Sequence, residues 1–330
     1  MSVLVRRAAA VAAVAVVALS LPATAHATPS TTLTPTQAVA ELSTWVDATN
    51  TALAGGFRAA VSAGGQRAIH IDVTAGGATA EITGAHGLHA FISRSRSWVA
   101  LGQSRVTRAV LGYLHKPDAR YVVQDIPGTS VGSPVDELAL VTDTPDPSGP
   151  TPWIVSADQV VNGATTTLAL SVSFPSAGGP VTTSDVVIDA DASGVVSHIS
   201  EAGLINETFA PATVSVHLPS LHRSITWRQF QKGVQAYLWP GTLSLLVHLF
   251  AVDAEVLALS REHDKRVHPA DIWIMAKREL PGLIKAAPFR FHWVPIRSGV
   301  AVISTNPISD KKIDFHVVAR HGSAAVVRVS

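Results

Sequence analysis

Gly128-Thr129-Ser130-Val131-Gly132 carries the G-x-S-x-G spacing of a hydrolase nucleophile elbow. That chemistry needs the serine on a sharp strand-to-helix turn, with a histidine and an acid brought alongside. Here the motif follows Ile126-Pro127 and runs on to Ser133-Pro134 with no helix directly behind it, so a plain loop is the better reading. Asp189-Ala190-Asp191-Ala192-Ser193-Gly194 imitates the first half of a calcium loop. The twelfth position, where a bidentate glutamate belongs, is Ser200, and Glu201 comes one step late. Strand-like sequence on both sides fits a hairpin turn instead.

The fourteen histidines are poorly spaced for a metal. His86 and His89 flank a Gly-Leu pair, His217 and His222 straddle Pro219, and His263 and His268 lie five apart on different helix faces. His70, His89, His292 and His316 fall within strand-like segments and read as surface or satisfied histidines. The Gly-Gly pairs at 55–56, 64–65, 76–77 and 178–179 are turn punctuation, not phosphate loops. No catalytic residue, metal or cofactor is assigned. With a net charge of +1 and few aromatics, none interleaved with basic residues, the chain lacks the usual nucleic-acid surface.

Arg6-Arg7 precede an apolar run from Ala8 to Leu21, and Ala25-His26-Ala27 supplies a small-x-small site. That order predicts a secretory signal peptide over 1–27, cleaved after Ala27 on the general export route. The run is short for a membrane span, and an uncleaved anchor is the competing reading. There is no cysteine, which excludes both disulfides and a lipidated cysteine at the cleavage site.

Residues 28–35 form a tether, and Thr36–Leu53 reads as a helix with Val39, Leu42, Trp45 and Val46 on one stripe. Glycine-punctuated strands follow at Phe57–Ser62, Ala68–Thr74, Ala78–Thr83 and Leu88–Ser93. Trp98, Leu101, Val106, Val110, Leu111 and Leu114 then suit a helix over 98–114, before a strand at Arg120–Gln124. Val135–Val141 reads as a helical turn, and Asp143–Pro152 as a proline-rich loop.

From Ser156 to Pro219 the period is two, which predicts a meander of about five antiparallel strands. Leu168, Leu170, Val172, Phe174, Val186, Ile188, Val214 and Val216 form its apolar face. After Pro219, helices are predicted at Ile225–Tyr237 and Thr242–His263, separated by a break at Trp239-Pro240-Gly241, and again at Ala270–Leu280. Asp253 and Glu255 interrupt the broad apolar surface of the second helix, which therefore reads as packed and amphipathic before transmembrane. Strands close the chain at Phe289–Val294, Val300–Thr305, Ile313–Arg320 and Ala324–Val329.

The segments HAFISRSRSWVALG…VLGYLHKPDARYVVQ, VVNGATTTLAL, VVIDADASGVVSHI and ETFAPATVSVHLP, in that order, resemble the LolA-like lipid-carrier superfamily. They are most similar to the actinobacterial LppX/LprG-type envelope proteins. The resemblance covers about 36–220 and implies an unclosed antiparallel half-barrel, plugged by helices, with an apolar cavity for acyl chains. Those relatives are usually lipoproteins held by a cysteine, so a freely secreted relative is implied. The C-terminal part is faintly similar to the globular part of pilin-like proteins.

The expected fold class is α+β: a curved antiparallel sheet with covering helices over 36–220, and a smaller α+β domain of helices then strands over 221–330. The expected function is a secreted, non-enzymatic envelope protein that binds a lipid or other apolar molecule on the eight-residue face, beneath the 98–114 helix. One alternative is an envelope interaction or structural protein whose partner docks on 221–330. The weakest is a serine hydrolase using Ser130. No membrane span is expected in the mature chain.

Overall fold

Period-two alternation runs through most of the sequence. In the computed structural model it becomes seventeen strands, with four α-helices, among the described residues 30–128, 130–145, 151–174, 181–202, 204–261, 263–286 and 289–330. The result is a mixed α+β protein with one large curved sheet, not closed into a barrel, and a separate four-stranded sheet. The chain divides into two units. One holds the described residues up to Ala100 together with Val123–Ser220; the other joins Leu101–Val122 to Leu221–Ser330.

The large sheet contains β1 (Ser30–Leu33), β2 (Gly56–Ala63), β3 (Ile69–Thr74), β4 (Thr79–Thr83), β5 (His89–Ser93), β6 (Arg96–Ala100) and β7 (Tyr121–Asp125). It continues with β8 (Trp153–Asn162), β9 (Thr165–Phe174), β10 (Thr182–Asp191), β11 (Val196–Glu201), β12 (Ile205–Pro211) and β13 (Ser224–Thr226). The spatial order is β1-β8-β9-β10-β11-β12-β2-β3-β4-β5-β6-β7-β13, so β1 and β13 are edges and the sheet stays open. The five strands β8 to β12 are the meander expected over 156–219. Their ladders are antiparallel, with Ile188 opposite Leu168 and Val186 opposite Leu170. Alternation continues to Val216, but β12 ends at Pro211, opposite Phe57, and 212–220 form no strand.

Helix α1 (Pro35–Leu53) starts one residue before the expected Thr36, and the tether expected over 28–35 instead holds β1, drawn into the sheet by pairing with β8. Thr34 is the N-cap, Gln37 completes a reciprocal capping box, and Pro35 fills the first position. Its buried stripe of Ala38, Leu42, Trp45, Val46 and Leu53 belongs to the same core as the apolar face of β8–β11. Thr49, fully buried, ties the helix down: its hydroxyl donates to the Trp45 carbonyl at 2.6 Å and accepts from the Val196 amide at 2.8 Å.

The helix expected over 98–114 is shorter. Trp98 lies on β6, paired with Phe91, and is buried while its neighbour Val99 is exposed. Strand alternation wins there because Arg96–Ala100 completes a hairpin with β5. Helix α2 (Arg105–Tyr113) begins after Ser104, whose side chain accepts from the Thr107 amide.

In the second unit, α3 (Trp227–Leu259) runs unbroken through Pro240, where the sequence predicted two helices. Pro240 cannot donate to the carbonyl four residues back, that of Ala236. The buried Asn306 side-chain amide donates to this oxygen instead, at 3.1 Å. Next to it, Trp239 Nε1 donates to Ser304 Oγ at 2.8 Å, and Ser304 Oγ donates to the Arg290 carbonyl. Helix α4 (Pro269–Ala286) follows, and then β14 (Phe291–Ile296), β15 (Gly299–Thr305), β16 (Lys312–Arg320) and β17 (Ser323–Arg328) in simple meander order. One face of α3 packs with α4 and this sheet around Leu243, Phe250, Ile272, Met275, Val300 and Phe315. Upstream, α2 approaches α3 at Gly233, where a Cβ would stand 2.7 Å from Val110 Cγ1.

Candidate functional site

The inner wall of the large sheet is the first place to look. Leu168 and Ile188 are 0% exposed and Leu170 and Val172 2%, while Val186 is buried and Phe174 half-buried. All six sit in one cluster with Leu42, Trp45 and Val46 of α1. Val214 and Val216, half-buried beyond the end of β12, lie outside that cluster. The element over this wall is α1, not the 98–114 segment: α2 belongs to the second unit. The apolar side chains of the wall are therefore largely used in packing the helix, which removes them from water as a ligand would.

The residues that resembled chemistry fall into ordinary structure. Ser130 is exposed on an irregular loop after β7, and the next regular element is a 3-10 turn at Leu138–Leu140. The loop is fixed beside it by the Val131 amide donating to the Gly77 carbonyl at 3.0 Å; Gly77 has φ +63° and no room for a Cβ. Asp191 closes the β10–β11 hairpin by accepting from the Ser193 hydroxyl at 2.6 Å and from the Ser193 and Val195 amides. Those bonds, the Ser193 hydroxyl foremost, hold the Asp191 carboxyl below the usual aspartate range. Asp189 accepts from Thr167 at 2.6 Å and lies 2.8 Å from His198 Nδ1.

Several histidines sit beside single carboxylates. His89 lies 2.7 Å from Glu81, and His268 lies 2.7 Å from Asp264. Among the described residues no three His, Asp or Glu side chains converge in metal-binding fashion. An open cleft of about 360 Å³ in the second unit is lined by Asp118, Arg120, His222 and Arg223. Two guanidiniums outnumber its one carboxylate, so its wall is net cationic.

The third feature is on α3. While Trp239, Leu243, Val247 and Phe250 turn into the core, Leu238, Leu245, Leu249, Val252, Val256 and Leu259 are each more than half exposed. Isolated apolar side chains on a surface need no explanation, but six along one helix form a continuous stripe. By length and composition α3 could cross a membrane, with a mean hydropathy of 1.8 over its most apolar window. A third of that window is buried in the fold. The broad apolar surface expected on the Thr242–His263 helix includes Leu249, Val252 and Val256. The split into a packed and an exposed stripe was not legible there, because the break expected at Pro240 cut the helix and detached Leu238. The overlooked signal is the seven-residue spacing of Leu238, Leu245, Val252 and Leu259.

No family model matches the chain, and no curated protein matches it. Among solved structures it is similar to an uncharacterized conserved protein from Thermus thermophilus at 9% identity and a TM-score of 0.32, over 55% of this chain and 96% of that one. The LolA-like resemblance thus rests on the order and pattern of the sequence segments alone.

Proposed function

We propose that the chain is an exported, non-enzymatic interaction protein whose working surface is the exposed face of α3. The observation that carries this reading is the six-residue apolar stripe left in water while the opposite side of the same helix packs into a core. Export is supported by the Arg6-Arg7, apolar-run and Ala25-His26-Ala27 order. The loop setting of Ser130 weighs against the serine-hydrolase alternative.

A second reading, the LolA-like lipid carrier, is favoured by the curved, unclosed sheet with one apolar face. It requires α1 to lift from Leu168 and Ile188 and to release the Thr49–Val196 bond, because those groups are packed together.

Two measurements on protein from its natural host separate the readings. Chemical cross-linking in the intact envelope should give a discrete adduct with the native chain that Leu249→Asp abolishes. An unchanged adduct pattern would refute the role of α3. Bound lipid recovered by extraction, or uptake of a fluorescent fatty acid, would favour the carrier.

A further inference from the structure

The exposed stripe of α3 repeats with a strict period. Leu238, Leu245, Val252 and Leu259 are seven apart, and Thr242, Leu249 and Val256 fill the intermediate positions in alternating steps of four and three. In heptad terms the first set occupies d and the second a, the two positions that meet a partner helix in a coiled coil. A period of 3.5 with leucine at three of four d positions is narrower than the face of a helix that lies in a core. The core-facing residues of α3 occupy other positions of the heptad.

We propose that the α3 seam pairs with α3 of a second copy of this chain, parallel and about a two-fold axis. This rests on the proposed role of α3 as the interaction surface and adds the identity of the partner. Charge supports a second copy. In a parallel pair each g position faces the e position of the other helix five residues on, which sets His248 against Asp253 and, by symmetry, Asp253 against His248. Both side chains are exposed, and His248 Nδ1 is held by the Ser244 carbonyl at 2.7 Å, which leaves Nε2 to meet the carboxylate. The other facing pairs, Gly241 with Leu246 and Glu255 with Ser260, bring no like charges together. The parallel register also uses every a and d layer from Leu238 to Leu259. An antiparallel arrangement in that register leaves Leu238 unmatched and sets Asp253 against Leu246, although it brings His248 to Glu255, so the layer count decides between them.

Area points the same way. The exposed parts of the six apolar side chains come to roughly 600 Å² a copy, or roughly 1,200 Å² for a pair, the lower edge of a stable interface. A bilayer surface fits less well. Helices that lie on membranes border their apolar face with lysine and arginine, whereas α3 has neither from Gly233 to Leu259 and carries Asp253 and Glu255 there.

The test uses the chain from Thr28 onward, measured by sedimentation velocity and light scattering over a concentration series. The expected result is a dimer whose self-association weakens on the order of 100-fold in Leu249→Asp, with circular dichroism unchanged because the position is exposed, and with melting lowered only at concentrations where the native chain is dimeric. Because the native chain has no cysteine, Leu245→Cys adds a single thiol. Two d-layer Cα atoms of a parallel pair lie within about 7 Å, so oxidation should give a disulfide-linked dimer. In the antiparallel register they would be about 16 Å apart along the axis and would not cross-link.

A wild type that is monomeric throughout, a dimer indifferent to Leu249→Asp, or a dimer that Leu245→Cys cannot cross-link would each overturn the proposal. So would a monomer that pellets with phosphatidylglycerol vesicles through the same residues. A monomeric wild type that still loses its envelope adduct in Leu249→Asp would defeat the self-pairing but leave the proposed function intact.

Discussion

Asn306 donates its side-chain amide to the Ala236 carbonyl, 3.1 Å away and 70 residues back along the chain. The oxygen it reaches is the one that Pro240 leaves without a helical donor. The same side chain accepts from the Ile308 and Ser309 amides, so one buried residue both shapes the turn after β15 and lets α3 continue through a proline. Asn306→Ala should cost about 2–4 kcal/mol in denaturant unfolding, because it strands a buried carbonyl and two turn amides. Pro240→Ala restores an internal donor for Ala236, so the double variant should lose less than Asn306→Ala alone. Strict additivity would mean that Asn306 does not compensate for the proline.

Gly233 makes a second contact that runs against helix propensity. Alanine there would gain about 1 kcal/mol as a helix former. Its Cβ, however, would stand 2.7 Å from Val110 Cγ1 and 3.0 Å from Leu114 Cδ1. Val110 is β-branched and buried, so it cannot swing aside cheaply. Gly233→Ala should destabilise by about 1–2 kcal/mol, and in a double-mutant cycle its added cost should shrink in a Val110→Ala background, although Val110→Ala alone also destabilises. A Gly233→Ala variant more stable than the native chain would show that α2 and α3 are not in close contact.

The Thr49 hydroxyl is buried and bridges α1 to β11. Thr49→Val keeps the shape but leaves the Val196 amide without its acceptor, and should cost about 1–3 kcal/mol. Native-state hydrogen exchange should then place the greatest loss of protection at Val196. Uniform loss across the sheet would argue against a local tie.

Leu168→Ala discriminates between a filled wall and a cavity. Truncating a leucine packed against a helix costs about 2–5 kcal/mol. A leucine that lines an open lipid cavity would lose much less, and fatty-acid uptake would change instead. The expected outcome is the large loss, read by chemical denaturation.

The Asp191 carboxylate adds a pH dependence of known sign. Its folded value is lowered, first by the Ser193 hydroxyl and also by the Val195 and Ser193 amides. The stabilisation is therefore present above the unfolded aspartate value and is lost as pH falls through the lower folded one. Melting curves of the native chain and Asp191→Asn should differ at neutral pH, and the gap should close as the solution is acidified below the ordinary aspartate range. A gap that widens on acidification would contradict the hairpin role.

Where local pattern and tertiary structure agreed, the sequence was readable. The α1 stripe and the five strands from Trp153 to Pro211 follow from short-range rules, whereas the Thr34–Gln37 capping box went unread inside the expected tether. The failures came where distant residues decide. Trp98 shares helical spacing with Leu101, yet it is claimed by β5, whose Phe91 lies opposite. Pro240 reads as a break until Asn306 is seen to supply the missing donor. The apolar face of β9 and β10 was legible, but not what lies on it, since helix and ligand demand the same leucines.

The second unit is built from two pieces of chain, Leu101–Val122 and everything after Leu221. Leu111, Ala119 and Val122 from the first piece form a small core with Ile225 from the second. A fragment cut at 221–330 would therefore lack α2 and show raw Gly233 and Ile225 surfaces, so it is a poor bait; a graft of 101–122 ahead of 221 through a linker would be the sounder one. During synthesis the early piece must wait until Ile225 and Gly233 emerge before its leucine and valine find cover, an interval in which a holding chaperone has something to grip.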